Sequence, residues 1–166
     1  MRSVTKRVAI FGLCTAVAMV LAYVELLLPP VFVAVPGIKL GLPNILIIFM
    51  LYRFGWRSAA TISLVRIALV SLLFGNTMTL AYSLAGAILS LAVMTLLKKL
   101  NFLSTVGVSV AGGVFHNVGQ ILTAMLLLGT AELGYYLIVL TVTGTVAGIL
   151  IGLCAGMMIK RINPKI

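Results

Sequence analysis

The chain of 166 residues sets twelve Lys and Arg against two acidic residues, Glu25 and Glu132, and has no aspartate, for a formal net charge of +10. Hydrophobic residues make up 63 % and charged residues 8 %, with a mean hydropathy of +1.29, where a soluble domain is about 45–50 % apolar and about 25 % charged. It reads as an integral membrane protein, and its two carboxylates, one His and two Cys are too few and too scattered for the magnesium or zinc sites of many enzymes.

A helix that crosses a bilayer needs about 20 mostly apolar residues. The first such segment lies near 8–28, behind Arg2, Lys6 and Arg7. Ala16-Val17-Ala18 resembles a cleavage site, but the apolar run continues past it and the rest of the chain is also apolar. An uncleaved first helix is therefore expected. It carries a small-residue pair, Ala18 and Ala22, with Gly12 and Ala16 on a neighbouring stripe and Glu25 near its end.

Next comes Val35-Pro36-Gly37-Ile38-Lys39-Leu40-Gly41-Leu42-Pro43-Asn44, whose prolines and glycines make it partly non-helical. Broken backbone near a membrane is tolerated where it lines a cavity or is covered by protein. Lys39 and Asn44 are its polar side chains. A short second segment near 41–54 follows, then a turn holding Arg53 and Arg57.

The third segment, near 56–75, has Arg66 at its middle. A guanidinium cannot lose its proton to escape the membrane interior. It needs an anionic ligand, a carboxylate or backbone carbonyls, and Glu25 is the carboxylate at matching depth. A structural Glu25–Arg66 pair and a ligand contact both remain open, and the two are compatible. The segment ends in the turn Gly75-Asn76, and the fourth, near 78–97, ends in a turn from Lys98 to Asn101.

The fifth segment, near 103–128, contains Gly112, Gly113, His116, Asn117 and Gln120. His116 and Gln120 are one turn apart on one face, with Asn117 beside them. A hydrogen-bonded packing role and a lined cavity are the two readings; three polar side chains within five residues favour the cavity. After the loop from Gly129 to Gly134, the sixth segment, near 135–159, has Gly144, Gly148, Gly152 and Gly156 at strict i, i+4 spacing. That groove admits another helix, from this bundle or from another protein. Cys14 and Cys154 sit in separate apolar segments, which reads as packing rather than a disulfide.

Six spans make one all-α polytopic membrane domain over residues 1–166; without the short second segment the count falls to five. With six, ten of the twelve basic residues fall on one side of the membrane. This predicts both termini in the cytoplasm, in the cell membrane. The charge then serves topology and attraction to the anionic headgroups of the lipid bilayer, not nucleic acid. No G-x-x-x-x-G-K-[ST] loop is present, so ATP hydrolysis would belong to a partner. No cofactor is expected. Lys39, Asn44 and Asn76 are expected at the outer side, with Arg66, His116, Asn117 and Gln120 at mid-depth. Together they suit an anionic or acceptor-rich small molecule, with positive charge in excess.

Pro-Gly-Ile-Lys-Leu-Gly-Leu-Pro-Asn at 36–44 resembles the most distinctive motif of the family labelled heptaprenyl diphosphate synthase component I, also called the Gx transporter family. Arg66, the Gly75-Asn76 turn, Tyr82-Ser83-Leu84-Ala85-Gly86, and Gly113 with His116-Asn117-Val118-Gly119-Gln120 extend the resemblance over essentially the whole chain. Members of this family look like the substrate-binding S components of energy-coupling factor (ECF) transporters. The resemblance implies a six-helix protein that captures a small molecule at its outer side and joins a membrane T component and two ATPases. It also implies that Ala18 and Ala22 face the T component. On the transporter reading, the segment 31–40 is expected to act as a lid over the ligand. The synthase label implies an alternative role, a membrane accessory to prenyl diphosphate synthesis. A catalytic prenyl diphosphate synthase uses aspartate-rich motifs for magnesium and diphosphate, and this chain has no Asp.

Overall fold

The computed structural model describes residues 2–27, 41–75 and 77–162. Lys39, Asn76 and the covering segment 31–40 lie outside the described residues. Six α-helices follow in order: α1 (Arg2–Leu27), α2 (Asn44–Phe54), α3 (Trp56–Phe74), α4 (Thr77–Leu100), α5 (Thr105–Leu128) and α6 (Tyr136–Arg161). A 3-10 turn at Ala131–Tyr135 precedes α6, and no strand occurs among the described residues. This is the expected all-α polytopic bundle.

Five of the helices are long and apolar enough to cross a membrane; α2, with 11 residues, is not. At 1.5 Å per residue it spans about 16 Å, against a hydrocarbon core about 30 Å thick. Its sequence, Asn-Ile-Leu-Ile-Ile-Phe-Met-Leu-Tyr-Arg-Phe, has no polar face, and every residue from Leu46 to Leu51 is at most 4 % exposed. A helix apolar all round belongs inside a protein. The core of the bundle accordingly forms around α2, with Cys14 and Ala18 of α1, Ile62 of α3, Val108 of α5 and Ile151 of α6 packed on it.

Local chemistry sets the ends of the helices. Gly41, at φ +74°, turns the chain into α2, and its carbonyl accepts the Asn44 N–H at 2.8 Å. Gly55, at φ +88°, supplies the abrupt turn between α2 and α3; only glycine holds such a conformation cheaply. Ser104 caps α5, its hydroxyl accepting the Gly107 N–H at 3.2 Å. Helix α4 does not break at Lys98 as expected but continues to Leu100. Two cations in a last turn suit the negative end of a helix, and Asn101, at φ 52°, then ends it.

Helices α4, α5 and α6 pack most closely. A Cβ at Gly148 would stand 2.6 Å from the Val110 Cα, and one at Gly152 2.8 Å from the Val106 Cα. A Cβ at Gly113 would meet the Gly144 carbonyl at 2.7 Å. Three glycines of the α6 stripe thus serve packing within the chain, whereas Gly156 has nothing within 4 Å of its Cβ position. The small face of α1 is likewise taken: Ala18 and Ala22 are 0 % and 6 % exposed. The pair that the resemblance assigns to docking is thus packed within the chain in this structure. The side of α1 left exposed carries Val17, Val20 and Val24. Cys14 is buried, as a packing residue should be, while Cys154 is exposed and both are free thiols.

Basic side chains tie one end of the bundle together. The Arg53 guanidinium donates to the Ile159 carbonyl near the end of α6. Lys98 donates to the Leu51 carbonyl at 2.6 Å and lies 5.1 Å from the Tyr52 ring centroid. Phe11 meets Phe54 edge-on, with centroids 6.1 Å apart. The start of α1 and the ends of α2, α4 and α6 therefore share this end, and the cations satisfy helix carbonyls that have no partner inside their own helices.

Gly148→Ala drives a methyl into backbone and is expected to destabilise the purified protein by about 1–3 kcal/mol. Gly156→Ala, in open space, is expected to leave thermal unfolding in detergent unchanged. Similar melting temperatures for the two variants would contradict the packing assigned to the stripe.

Candidate functional site

The polar side chains of the bundle interior converge on one chamber of about 80 Å³. Arg66 and Ser71 reach it from α3, Ser83 and Ser90 from α4, and His116, Asn117 and Gln120 from α5. Glu25 of α1, Asn44 of α2 and Ser109 of α5 complete its polar lining, with Gly144 and Gly148 of α6 forming part of the wall. The helical repeat explains the convergence. On α5, Ser109, Gly112, Gly113, His116, Asn117 and Gln120 recur at intervals of three and four and so lie along one face. On α4, Ser83 and Ser90 are two turns apart on the same face.

Gly86 lies between those serines and brings α4 onto the polar face of α5. A Cβ there would be 2.7 Å from the His116 carbonyl and 2.9 Å from the Gln120 Cγ. Asn117 donates to the Leu140 carbonyl at 2.7 Å, which fixes the position of α5 relative to α6. Asn117 therefore combines the two roles left open by its sequence, lining the chamber and fastening two helices.

Arg66 and Glu25 both line the chamber and are electrostatically coupled. The Glu25 carboxylate also accepts the Gly41 N–H, which joins the end of α1 to the start of α2. The Arg66 Nε is buried and has no hydrogen-bond partner among the described residues. A guanidinium has five N–H donors in a fixed fork, and one buried donor without an acceptor costs about 1–3 kcal/mol. The charge pair and a donor without an acceptor among the described residues thus occur at one place. The described lining contains one guanidinium and one carboxylate, so the expected excess of positive charge does not arise from it. That expectation leaned on Lys39, outside the described residues.

Sequence reasoning passed over Ser90 and Ser109, which are buried at 6 % and 3 % exposure. The Ser109 hydroxyl, like the Arg66 Nε, has no partner among the described residues. Single serines are common in apolar helices. The signal available was their register: Ser109 falls one turn before Gly112 and Gly113 on the stripe that carries His116, and Ser90 faces it from α4. The chamber is small, since pockets for drug-sized ligands enclose about 300–1,000 Å³. As it stands it has room for a compact anionic group or a few waters.

The profile of heptaprenyl diphosphate synthase component I matches residues 14–158. The chain belongs to this family. All the residues that line the chamber, from Ala22 to Ile151, fall within the matched region. No curated protein and no solved structure matches the chain. The description "component I" names one part of a heptaprenyl diphosphate synthase and implies a partner component.

If Glu25 and Arg66 compensate each other, their neutralisation is non-additive. In a double-mutant cycle with Glu25→Gln and Arg66→Gln, thermal unfolding in detergent is expected to give a coupling of about 1–3 kcal/mol. Additive effects would show that the two charges act independently.

Proposed function

We propose that this member of the heptaprenyl diphosphate synthase component I family is the substrate-binding membrane component of an ECF-type uptake transporter. It captures an anionic or acceptor-rich small molecule in the chamber between its helices. The observation that carries the reading is Arg66, a buried guanidinium with a spare Nε donor among His116, Gln120 and the chamber serines. An arrangement rich in donors, inside a helical membrane bundle and next to a single carboxylate, favours an anion or a carbonyl-rich ligand. Lys39 and Asn76 are proposed to add to the same site at its outer rim.

The chemistry required of the chain is binding without catalysis. The absence of aspartate and of a phosphate-binding nucleotide loop supports this. Energy would come from ATPases acting through a membrane T component. With Ala18 and Ala22 buried, the exposed side of α1 around Val17, Val20 and Val24 is the surface on that helix open to such a partner. The basic end, with Arg53, Arg57, Lys98 and Lys99, is assigned to the cytoplasm on the positive-inside rule. The part of the chamber lined by Glu25, Gly41 and Asn44 then lies toward the outer side. Because the chamber holds only a compact group, occupation by a larger molecule requires the α1–α3 side to move away from the tightly packed α4–α6 side.

The family description favours a second reading, a non-catalytic membrane accessory to heptaprenyl diphosphate synthesis. A mild-detergent pull-down from native membranes, read by mass spectrometry, separates the two. A T component with paired ATPases is expected; an aspartate-rich prenyl synthase subunit without ATPases would replace the transporter reading with the accessory one. Arg66→Ala is expected to abolish ligand-induced thermal stabilisation while the protein stays monodisperse on size exclusion. Full retention of that stabilisation would remove Arg66 from the site.

A further inference from the structure

A second concavity lies outside the chamber, on the flank of the bundle between α3 and α4. It encloses about 470 Å³, and its walls are almost wholly apolar: Ala60 and Leu64 from α3, and Ala87, Ile88, Leu91 and Ala92 from α4 are among them. Small residues at Ala60, Ala87 and Ala92 hollow it out where larger side chains would let the helices touch. The groove begins at the basic end, where Trp56 and Lys99 both line it. From Lys99 to Ala87 along α4 it runs twelve residues, about 18 Å, more than half the thickness of one bilayer core.

The mouth carries Lys99, with Arg57 beside the Trp56 ring, and no acidic residue is among the groove's lining residues. Lys98 and Lys99 are adjacent in sequence but differ in use. Lys98 is turned to the Leu51 carbonyl and the Tyr52 ring, whereas Lys99 is exposed and lines the groove. Arg57 lies 5.6 Å from the centroid of the Trp56 ring, and so stands at the same rim. An apolar channel about as long as a leaflet, ending in an indole and two cations, complements one class of molecule. Hydrocarbon would occupy the channel, the indole would sit at headgroup depth, and the cations would hold a phosphate.

We propose that the α3–α4 groove is a specific site for an anionic phospholipid, one acyl chain lying between α3 and α4 and the phosphate held by Lys99 and Arg57. The site is separate from the chamber of Arg66 and does not depend on the identity of the transported molecule. It gives the protein a means of sensing the charge of the leaflet at its basic end.

Trp56 is the single tryptophan of the chain and reports on the groove directly. The protein is reconstituted into phosphatidylcholine vesicles with a minor fraction of either dibrominated phosphatidylglycerol or dibrominated phosphatidylcholine, and quenching of Trp56 fluorescence is measured. Brominated phosphatidylglycerol is expected to occupy the quenching site about thirtyfold more readily, the ratio that two cations close to an anionic headgroup supply at about fivefold each. Lys99→Gln should cut this preference to about fivefold, the share left to Arg57. Ala60→Leu with Ala92→Leu, which fills the channel and leaves the rim cations in place, should lower quenching by both lipids. Lys160→Gln, a charge at the same end but outside the groove, should change neither. Equal quenching by the two lipids in the unaltered protein would overturn the proposal, as would a preference left unchanged by Lys99→Gln or reduced equally by Lys160→Gln. Absence of quenching by either lipid would also overturn it and is the result expected if another protein or a second copy of the chain covers the groove. Circular dichroism and size exclusion on each variant separate a change at the groove from loss of the fold.

Discussion

A guanidinium held at mid-height in a membrane bundle imposes its terms on everything near it. Arg66 keeps its charge at any physiological pH, so the surrounding helices have to supply polar atoms or expose it to lipid, and the second alternative costs several kcal/mol. The fold meets this demand by turning one face of each of five neighbouring helices inward. Glu25 supplies the opposite charge, while α4 and α5 contribute hydroxyl, imidazole and amide groups. The glycines follow from the same demand. Polar faces can surround a small chamber only if the backbones come close, and Gly86, Gly113 and Gly148 each occupy a point where a methyl group would not fit.

The bundle is consequently uneven in stiffness. Between α5 and α6 backbone meets backbone through glycine, and the Asn117 bond to the Leu140 carbonyl closes the upper part of the contact. On the other side, α1 rests on α2 and α3 through a stripe of Cys14, Ala18 and Ala22 flanked by the partly buried Ile10, Phe11 and Leu21, and its opposite face is exposed. One polar link, from the Gly41 N–H to Glu25, joins α1 to the start of α2. A ligand that displaced or recruited Glu25 would therefore act on the chamber and on the α1–α2 connection together.

Much of this was legible in the chain. The spans were readable because apolar runs of about 20 residues match the thickness of a bilayer and are rare in water-soluble chains. His116, Asn117 and Gln120 stood out because polar groups are rare at that depth, and their shared face follows from the helical period. The glycine stripe on α6 was visible too, but which glycines meet a neighbour was not. Gly152 and Gly156 look identical in sequence, and only the length over which α5 runs beside α6 separates them. The fate of Ala18 and Ala22 was hidden for a similar reason, since a small-residue face says that something approaches closely and does not say what. Ser90 and Ser109 gave too weak a signal alone and acquire meaning from the polar stripe they face. The groove between α3 and α4 had no sequence signature, because its alanines matter only through their absence of bulk. Lys39, on which the expected excess of positive charge rested, lies outside the described residues.

The short, wholly buried helix α2 bears on how the protein is made. With 11 residues, most of them apolar, it is too brief to be retained by the insertion machinery as an independent span, and its surroundings in the finished protein are other helices instead of lipid. Its stable position exists only once α3, α5 and α6 are present to enclose it. Translation delivers α5 and α6 last, so for most of synthesis α2 must wait beside α3, joined to it across Gly55 with Arg53 and Arg57 anchoring the shared turn. Assembly of this small protein would then finish from the C-terminal end, and truncation within α6 would strand its core in an unassembled intermediate open to membrane proteolysis.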